Sequence, residues 1–449
     1  MFERLRTGMA GFSVVWFGQV VSLLGSGMTQ FALTIWAWEL TGEATALAMV
    51  AFFGFFPRIV FTPLAGALID RWNRKLVMIL SDLAAGLGTI AVFVLHSLGM
   101  LEIWHLYVIA AFAGAFGSFQ FPAYSASISL MLPKQQFTRA NTMLGMAYSI
   151  STVFAPIAAG ALLALVGITG ILLIDIVTFS FAILTLLFVA IPQPAAHHAA
   201  EAKQRRLLED CVFGFKYIAA NSSLTGLLLL YFSLNVLLSF SGGVLSPMIL
   251  ARSGNDQIAL GTVMTLFGAS GLAGGALLTL WGGPKRKMHA LFLAILCTSL
   301  LGNTVLGIGR SVYVWGLGAF LSAILIPLAN GSSQTLWQTK IPPQLQGRVF
   351  SARILIGQIG GAIALPIAGL MADRWFEPLM NGSSGLADLF ARLVGRGPGA
   401  GMGLMFVVFG LLGTLTAIVG FAYRPIREIE QILPDYDEMD ATAEGESGS

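Results

Sequence analysis

The sequence predicts an all-α membrane protein: twelve transmembrane helices forming two pseudo-symmetric six-helix bundles. Three observations carry that prediction. Hydrophobic residues make up 56% of the 449 and charged residues only 10%, against roughly 25% charged in soluble domains, and mean hydropathy is +0.81. The apolar residues gather into runs long enough to cross a bilayer, which takes about 20 residues per helix. The two halves of the chain also match one another at a constant offset of 209 residues.

The runs, numbered here as spans 1 to 12, cover residues 11–38, 44–69, 76–97, 102–127, 140–166, 168–191, 222–250, 257–281, 288–308, 311–337, 348–375 and 401–423. They are long and continuous, whereas barrel strands are short and alternate in polarity. Met1 to Ala10 is too short and mixed to be a separate signal peptide, and the run that follows is too long for a removable apolar core. It reads as the first span. The first bundle then covers 1–192 and closes at Ile191-Pro192. A polar linker follows over 193–221, and a second bundle covers 222–424. The acidic tail, 425–449, lacks late apolar residues and is predicted disordered. Leu386 to Leu393, within the Gly- and Ser-rich outer segment 377–399, has the pattern of a short interfacial helix.

Of the 25 Lys and Arg residues, 18 fall on the side that holds both termini and five on the other, with Arg58 and Arg353 inside spans. That asymmetry predicts cytoplasmic termini. In the internal repeat, Gly66-Ala67-Leu68 matches Gly275-Ala276-Leu277, Trp72 matches Trp281, Pro133 matches Pro342, Arg139 matches Arg348 and Gly160 matches Gly369. Parallel repeats of six helices mark transporters.

Several chemistries are excluded. Cys211 and Cys297 are isolated, giving neither a disulfide framework nor metal spacing. The sequence has no phosphate-binding loop and no H-E-x-x-H, so no cofactor, no metal, no enzymatic activity and no nucleic-acid partner is expected. Gly268-Ala269-Ser270-Gly271 matches the G-x-S-G of intramembrane serine proteases. A nucleophile needs a base, and no histidine lies deep in a span of the second half, so packing is the expected role.

Charged and polar residues within or beside the spans are the functional candidates. Gly66, Asp70, Arg71, Arg74 and Lys75 form a very short basic loop between spans 2 and 3. It must sit at a membrane face, because charge within hydrocarbon costs several kcal/mol. Its residues can anchor topology, bridge neighbouring loops or bind anionic headgroups. Gln19, Ser22, Ser26, Thr29 and Gln30 share one face of span 1. Span 4 offers Gln120 and Tyr124, span 7 Asn235 and Ser239, and span 10 Asn330, Ser333, Gln334 and Trp337. Such faces line cavities or knit helices together. Glu39, Arg58, Asp82 and Asp175 are candidate coupling charges, since ionisable groups inside membranes are functional by default. Arg58 and Asp175 fall at comparable depth, which allows an ion pair. Asp82 reads as neutralising the basic loop.

At this point the chain resembles the major facilitator superfamily over roughly residues 10–425. Its loop is similar to the family's G-x-L-A-D-R-x-G-R-K motif at Gly66, Leu68, Asp70, Arg71, Arg74 and Lys75, with Ile69 in place of the Ala and Asn73 in place of the second Gly. Trp16-Phe17-Gly18-Gln19-Val20-Val21-Ser22-Leu23, Ile174-Asp175, Ile191-Pro192 and Gly347-Arg348-Val349-Phe350-Ser351 look most like bacterial macrolide-efflux exporters, and siderophore exporters share much of the pattern. There are departures. Ala110 stands where proton-coupled exporters carry an Arg in span 4. The span 5 kink reads Ala155-Pro156-Ile157-Ala158-Ala159-Gly160 instead of G-P-x-x-G-G, and Asp70 matches Thr279 in the repeat. The resemblance implies that spans 1, 4, 7 and 10 line a central cavity, that span 6 is peripheral, and that the loop residues with Arg348 form a cytoplasmic gate, Asp70 resting on the N-terminus of span 11. It implies a secondary active transporter exporting amphipathic or apolar small molecules by alternating access, coupled to proton antiport, in the bacterial cytoplasmic (inner) membrane. Its expected partners are a small-molecule substrate, protons and membrane lipids, and it is expected to work as a monomer. A siderophore or metabolite exporter, an uptake symporter and a non-transporting membrane scaffold are the alternatives.

Overall fold

A computed structural model describes residues 8–69, 72–191, 207–382 and 385–435. Helix dominates, and no strand occurs among the described residues. Eleven of the described helices are long and apolar enough to cross a membrane. One helical run, Phe137–Phe188, carries two of the expected spans: its 52 residues would reach about 78 Å at 1.5 Å per residue, far beyond a hydrocarbon core of about 30 Å. Gly167 interrupts it with φ 64° and ψ −178°, a backbone conformation that a Cβ would oppose.

Contacts with span 1, Gly8–Thr41, show that the chain reverses there. Trp16 Nε1 donates to Met143 O (2.6 Å) and Ser151 Oγ to Leu23 O (2.7 Å), so residues before Gly167 run parallel to span 1. Beyond Gly167 the order inverts: Gly18 lies against Thr185, and Gly25 against Thr178 and Asp175. The twelve-span reading therefore stands, with spans 5 and 6 joined by a one-glycine turn.

The chain forms two compact units, residues 1–204 with 249–265, and residues 205–248 with 266–449. Residues 249–265 group with the first of these. There Thr265 Oγ1 donates to Val153 O (3.0 Å) and Trp38 Nε1 to Asn255 Oδ1 (2.9 Å).

In the first unit the basic loop ties helix ends together. The last four carbonyls of any helix lack intrahelical donors. Lys75 Nζ donates to Leu187 O (3.0 Å) and Val189 O (2.8 Å) at the end of span 6. Arg74 Nη1 reaches Ala126 O (2.6 Å) in span 4. Asn73 caps span 3, Arg74–Ser97, its side chain accepting from Leu76 N (3.1 Å). A side-chain oxygen at an N-cap satisfies a donor that a glycine would leave to water.

In the second unit the linker and tail are partly helical. Leu207–Ala219 forms a helix inside the segment read as linker. Its Phe213 ring lies 5.1 Å from the Arg348 guanidinium, and Gly214 meets Arg348 O. The rest of the linker through 206 lies outside the described residues, as does 436–449 of the tail. The described tail straps the end of the unit. The Glu430 carboxylate accepts from Lys287 N (3.2 Å) and Met288 N (3.1 Å) at the start of span 9, where the helix dipole favours negative charge. Buried Lys340 donates to Glu430 O and Leu433 O and pairs with Asp435. Ile426 and Ile429 join the core around Leu227, Met288 and Trp337.

Spans 9 and 10 are broken, and span 11 ends in a π-turn at Ala372–Phe376. Span 10, read as continuous, is two helices, Val312–Ala323 and Ile326–Lys340, because Pro327 disfavours helix just before it. Span 9 carries a π-turn at Cys297–Asn303. Between spans 11 and 12, Gly385–Val394 is a helix whose Leu386, Leu389 and Leu393 are exposed, in keeping with an interfacial segment.

Gly114 of span 4 lies so close to Gly54 O of span 2 that a Cβ would overlap it, whereas a Cβ at Gly117 meets nothing within 4 Å. Gly114→Ala is expected to destabilise the protein by about 1–3 kcal/mol through overpacking, read as a lowered thermal midpoint in detergent, while Gly117→Ala is expected to show no loss.

Candidate functional site

The polar stripe of span 1 opens onto a cavity of about 200 Å3 inside the first unit. Gln19, Ser22 and Ser26 line it together with Ser81, Asp82 and Thr89 of span 3, Gln120 and Tyr124 of span 4, Tyr148 of span 5 and Asp175 of span 6. Leu23, Leu144 and Phe179 supply apolar wall. Spans 3, 5 and 6 thus line it together with spans 1 and 4.

Asp82 is its centre. Gln19 Nε2 donates to Asp82 Oδ2 (2.7 Å) and Gln120 Nε2 to Asp82 Oδ1 (2.7 Å). Gln120 Nε2 also donates to Gln19 Oε1 (3.0 Å), closing a triangle between three helices. Two neighbouring atoms have no hydrogen-bond partner, Gln120 Oε1 and the hydroxyl of Tyr124, although Tyr124 is only 6% exposed. The expectation that Asp82 neutralises the basic loop is corrected: it faces inward, and its partners are neutral amides.

Asp175 forms the second polar centre, 1% exposed. Ser26 Oγ donates to its Oδ1 (3.0 Å) and Thr89 Oγ1 to its Oδ2 (2.8 Å). Arg58 is exposed and makes no ion pair with it, so the Arg58–Asp175 pairing is also corrected. Hydroxyls already meet the carboxylate where the guanidinium was expected. Among the described residues no lysine or arginine pairs with either aspartate.

Other expected residues lie apart. Thr29 is buried, while Gln30 and Glu39 are exposed. Asn235 Nδ2 turns back to Tyr231 O of its own helix (2.8 Å), and Ser239 packs against Gly361. Asn330 is exposed and accepts from Tyr231 Oη (2.8 Å). Trp337, read as lining a cavity, is wholly buried in the core of the second unit, which corrects that expectation. Asp70 and Arg71 lie outside the described residues, and Gly66 sits in the last turn of the helix Ala44–Ile69. Ser270 donates to Phe267 O (2.9 Å) and is fully buried, as packing requires.

Sequence reasoning passed over Arg353. It is 7% exposed, its Nη1 donates to Gln334 Oε1 (3.0 Å), its Nη2 lies 3.5 Å from Ser333 Oγ, and its guanidinium carbon sits 5.3 Å from the ring centres of both Tyr231 and Trp337. The available signal was a lone charge inside span 11.

Two bundles of apolar helices holding ionisable groups within the membrane define a multi-pass transporter of small molecules. The chain belongs to the Major Facilitator Superfamily, whose family model matches residues 15–365. Macrolide efflux protein A of Streptococcus pyogenes is 28% identical over 393 residues, 85% of this chain and 95% of that one. The enterobactin exporter EntS of Shigella flexneri is 23% identical over 370 residues, 80% and 85% of the two chains. The fold is similar to the nucleoside transporter NupG (D323A mutant; TM-score 0.69, 12% identity, 91% of this chain and 98% of that one). A bacterial homologue of the iron transporter ferroportin, in the inward-facing state, gives TM-score 0.63 at 18% identity over the same shares.

The Gln19–Asp82–Gln120 triangle is expected to be strongly coupled. Gln19→Leu should cost about 1–3 kcal/mol, because it removes a donor from a buried carboxylate. In an Asp82→Leu background the same change should cost far less. A double-mutant cycle of detergent-solubilised protein, read by thermal unfolding, checks the difference.

Proposed function

We propose that the protein exports amphipathic or apolar small molecules across the bacterial cytoplasmic membrane, both termini cytoplasmic, by alternating access coupled to inward movement of protons. The observation that carries the coupling is the Asp82 carboxylate, buried beside a cavity and held only by neutral amide donors. Relatives named as efflux and export proteins, covered over most of their length, support the direction.

Volume separates the roles of the residues. Binding pockets for drug-sized ligands occupy about 300–1,000 Å3, so the cavity of about 200 Å3 is too small for a macrolide. It suits several waters, each needing roughly 10–15 Å3 of this kind of space. The cavity is therefore read as a hydrated proton site, with Asp82 carrying the proton and Gln120 Oε1 and the Tyr124 hydroxyl facing the water. Cargo contacts are assigned to other polar residues of the spans, among them Gln30, Asn330 and Gln334. In the same reading Gly66, Asp70, Arg71, Arg74, Lys75 and Arg348 form the cytoplasmic gate, residues 1–192 and 222–424 are the two moving bundles, and a monomer suffices.

Asp82 and Asp175 differ in what replaces them. Hydroxyls can donate or accept, so the neighbours of Asp175 can adapt to an asparagine. The glutamine Nε2 groups at Asp82 only donate, and they would face the new amide nitrogen unless they turned over. Expression in an exporter-deleted bacterial host, tested against a panel of macrolides and dyes, is expected to raise resistance several-fold. Asp82→Asn should lower proton-driven uptake of the exported compound into inverted vesicles by at least roughly tenfold, about 1.4 kcal/mol, while Asp175→Asn should retain it. Resistance equal to the empty vector would overturn export, and full uptake by Asp82→Asn would overturn the coupling assignment.

A further inference from the structure

We infer that Arg353 binds an anionic oxygen, such as a carboxylate, on the exported molecule; this rests on the reading of the chain as a small-molecule exporter. Among the described residues, the buried charged side chains of the second unit are Lys340 and Arg353. They are treated differently. Lys340 pairs with Asp435 and takes two backbone carbonyls. Arg353 meets no carboxylate, and its hydrogen-bond contacts are neutral oxygens, that of Ser333 at the limit of hydrogen-bonding distance.

A guanidinium carries five N–H donors in a planar fork and accepts nothing. Gln334, Ser333 and the Tyr231 hydroxyl are its neutral acceptors, and no anionic oxygen faces the fork. The indole Nε1 of Trp337, whose ring centre is 5.3 Å from the guanidinium carbon, is buried with no partner of its own. The spot therefore holds several donors and a positive charge but no anion. The nearby oxygen of Asn330 is already engaged by Tyr231.

The guanidinium carbon stands 5.3 Å from the ring centres of both Tyr231 and Trp337, contacts that stabilise the cation without neutralising it. Arg353 lies ten residues into the helix Pro343–Met371, about 15 Å along its axis. A charge that far inside a span is costly unless it is used. A Lys would give a point charge, whereas the held fork of an Arg matches two oxygens of one anionic group. An incoming carboxylate would displace Gln334 Oε1, exchanging one bond to a neutral acceptor for two bonds to an ionised one.

The test is binding of 1-pyrenebutyrate against 1-pyrenebutanol to the purified full-length protein in nanodiscs, followed by pyrene fluorescence. The pair shares one apolar body and differs in the anionic group. Wild type is expected to bind the carboxylate about tenfold more tightly, the scale of a charge-assisted bond. Arg353→Gln should bring the carboxylate-to-alcohol ratio close to one, and Arg353→Lys should fall between. A wild-type ratio near one overturns the inference without any variant having to fold, and so does a ratio that Arg353→Gln leaves intact. The exporter reading is read separately, from efflux of pyrenebutanol by wild-type proteoliposomes. Efflux without carboxylate preference sinks the anion site alone; no efflux of either probe sinks both.

Discussion

Within a bilayer a charged group must find its partners inside the protein, and in the first unit that constraint converges on the Asp82 carboxylate. No cation pairs with it among the described residues. Two glutamine amides from spans 1 and 4 do so instead, at 2.7 Å each. Three helices distant in sequence are thereby fixed around one charge, and the cavity beside it follows from their arrangement. Asp175 repeats the solution with hydroxyls. Both carboxylates are stabilised by donors and left without neutralising charge.

The second unit reverses the sign. Its core buries Arg353 beside two aromatic rings with neutral oxygens for company. At its edge, the tail uses Glu430 and Asp435 to satisfy a helix start and the buried Lys340. Among the described residues, the buried Lys340 of this unit is paired with Asp435, while the buried Arg353 meets no carboxylate and stands beside polar residues of spans 7 and 10. The contrast between Lys340 and Arg353 is what separates a charge kept for architecture from one kept for recognition.

Much of the architecture was legible in the sequence because hydrocarbon thickness imposes long apolar runs. The twelve spans, the basic loop and the helical face of span 1 all follow from that. The turn at Gly167 was legible as a boundary between runs, although the helix continues almost without interruption on either side. What the sequence hid was partnership. Asp82 lies seven residues from Lys75, so proximity along the chain suggested a link to the basic loop, but helix rotation turns it toward Gln19, 63 residues away. Arg58 and Asp175 matched in depth but not in azimuth, which a hydropathy profile does not carry. Trp337 shares a face with Asn330 and Gln334, yet its bulk places it in the core, and nothing in the local pattern distinguishes a buried tryptophan beneath an arginine from one lining a cavity. The break in span 10 had a local cause, Pro327, that its continuous hydropathy masked.

The most direct measurement is proton release when cargo binds. Pyrenebutanol, which has no titratable group in the working range, would be added to purified protein in weakly buffered solution with a pH-indicating dye. The account predicts a proton released from wild type on binding and none from Asp82→Asn under the same conditions. Equal release from both proteins, or binding with no release from wild type, would contradict it.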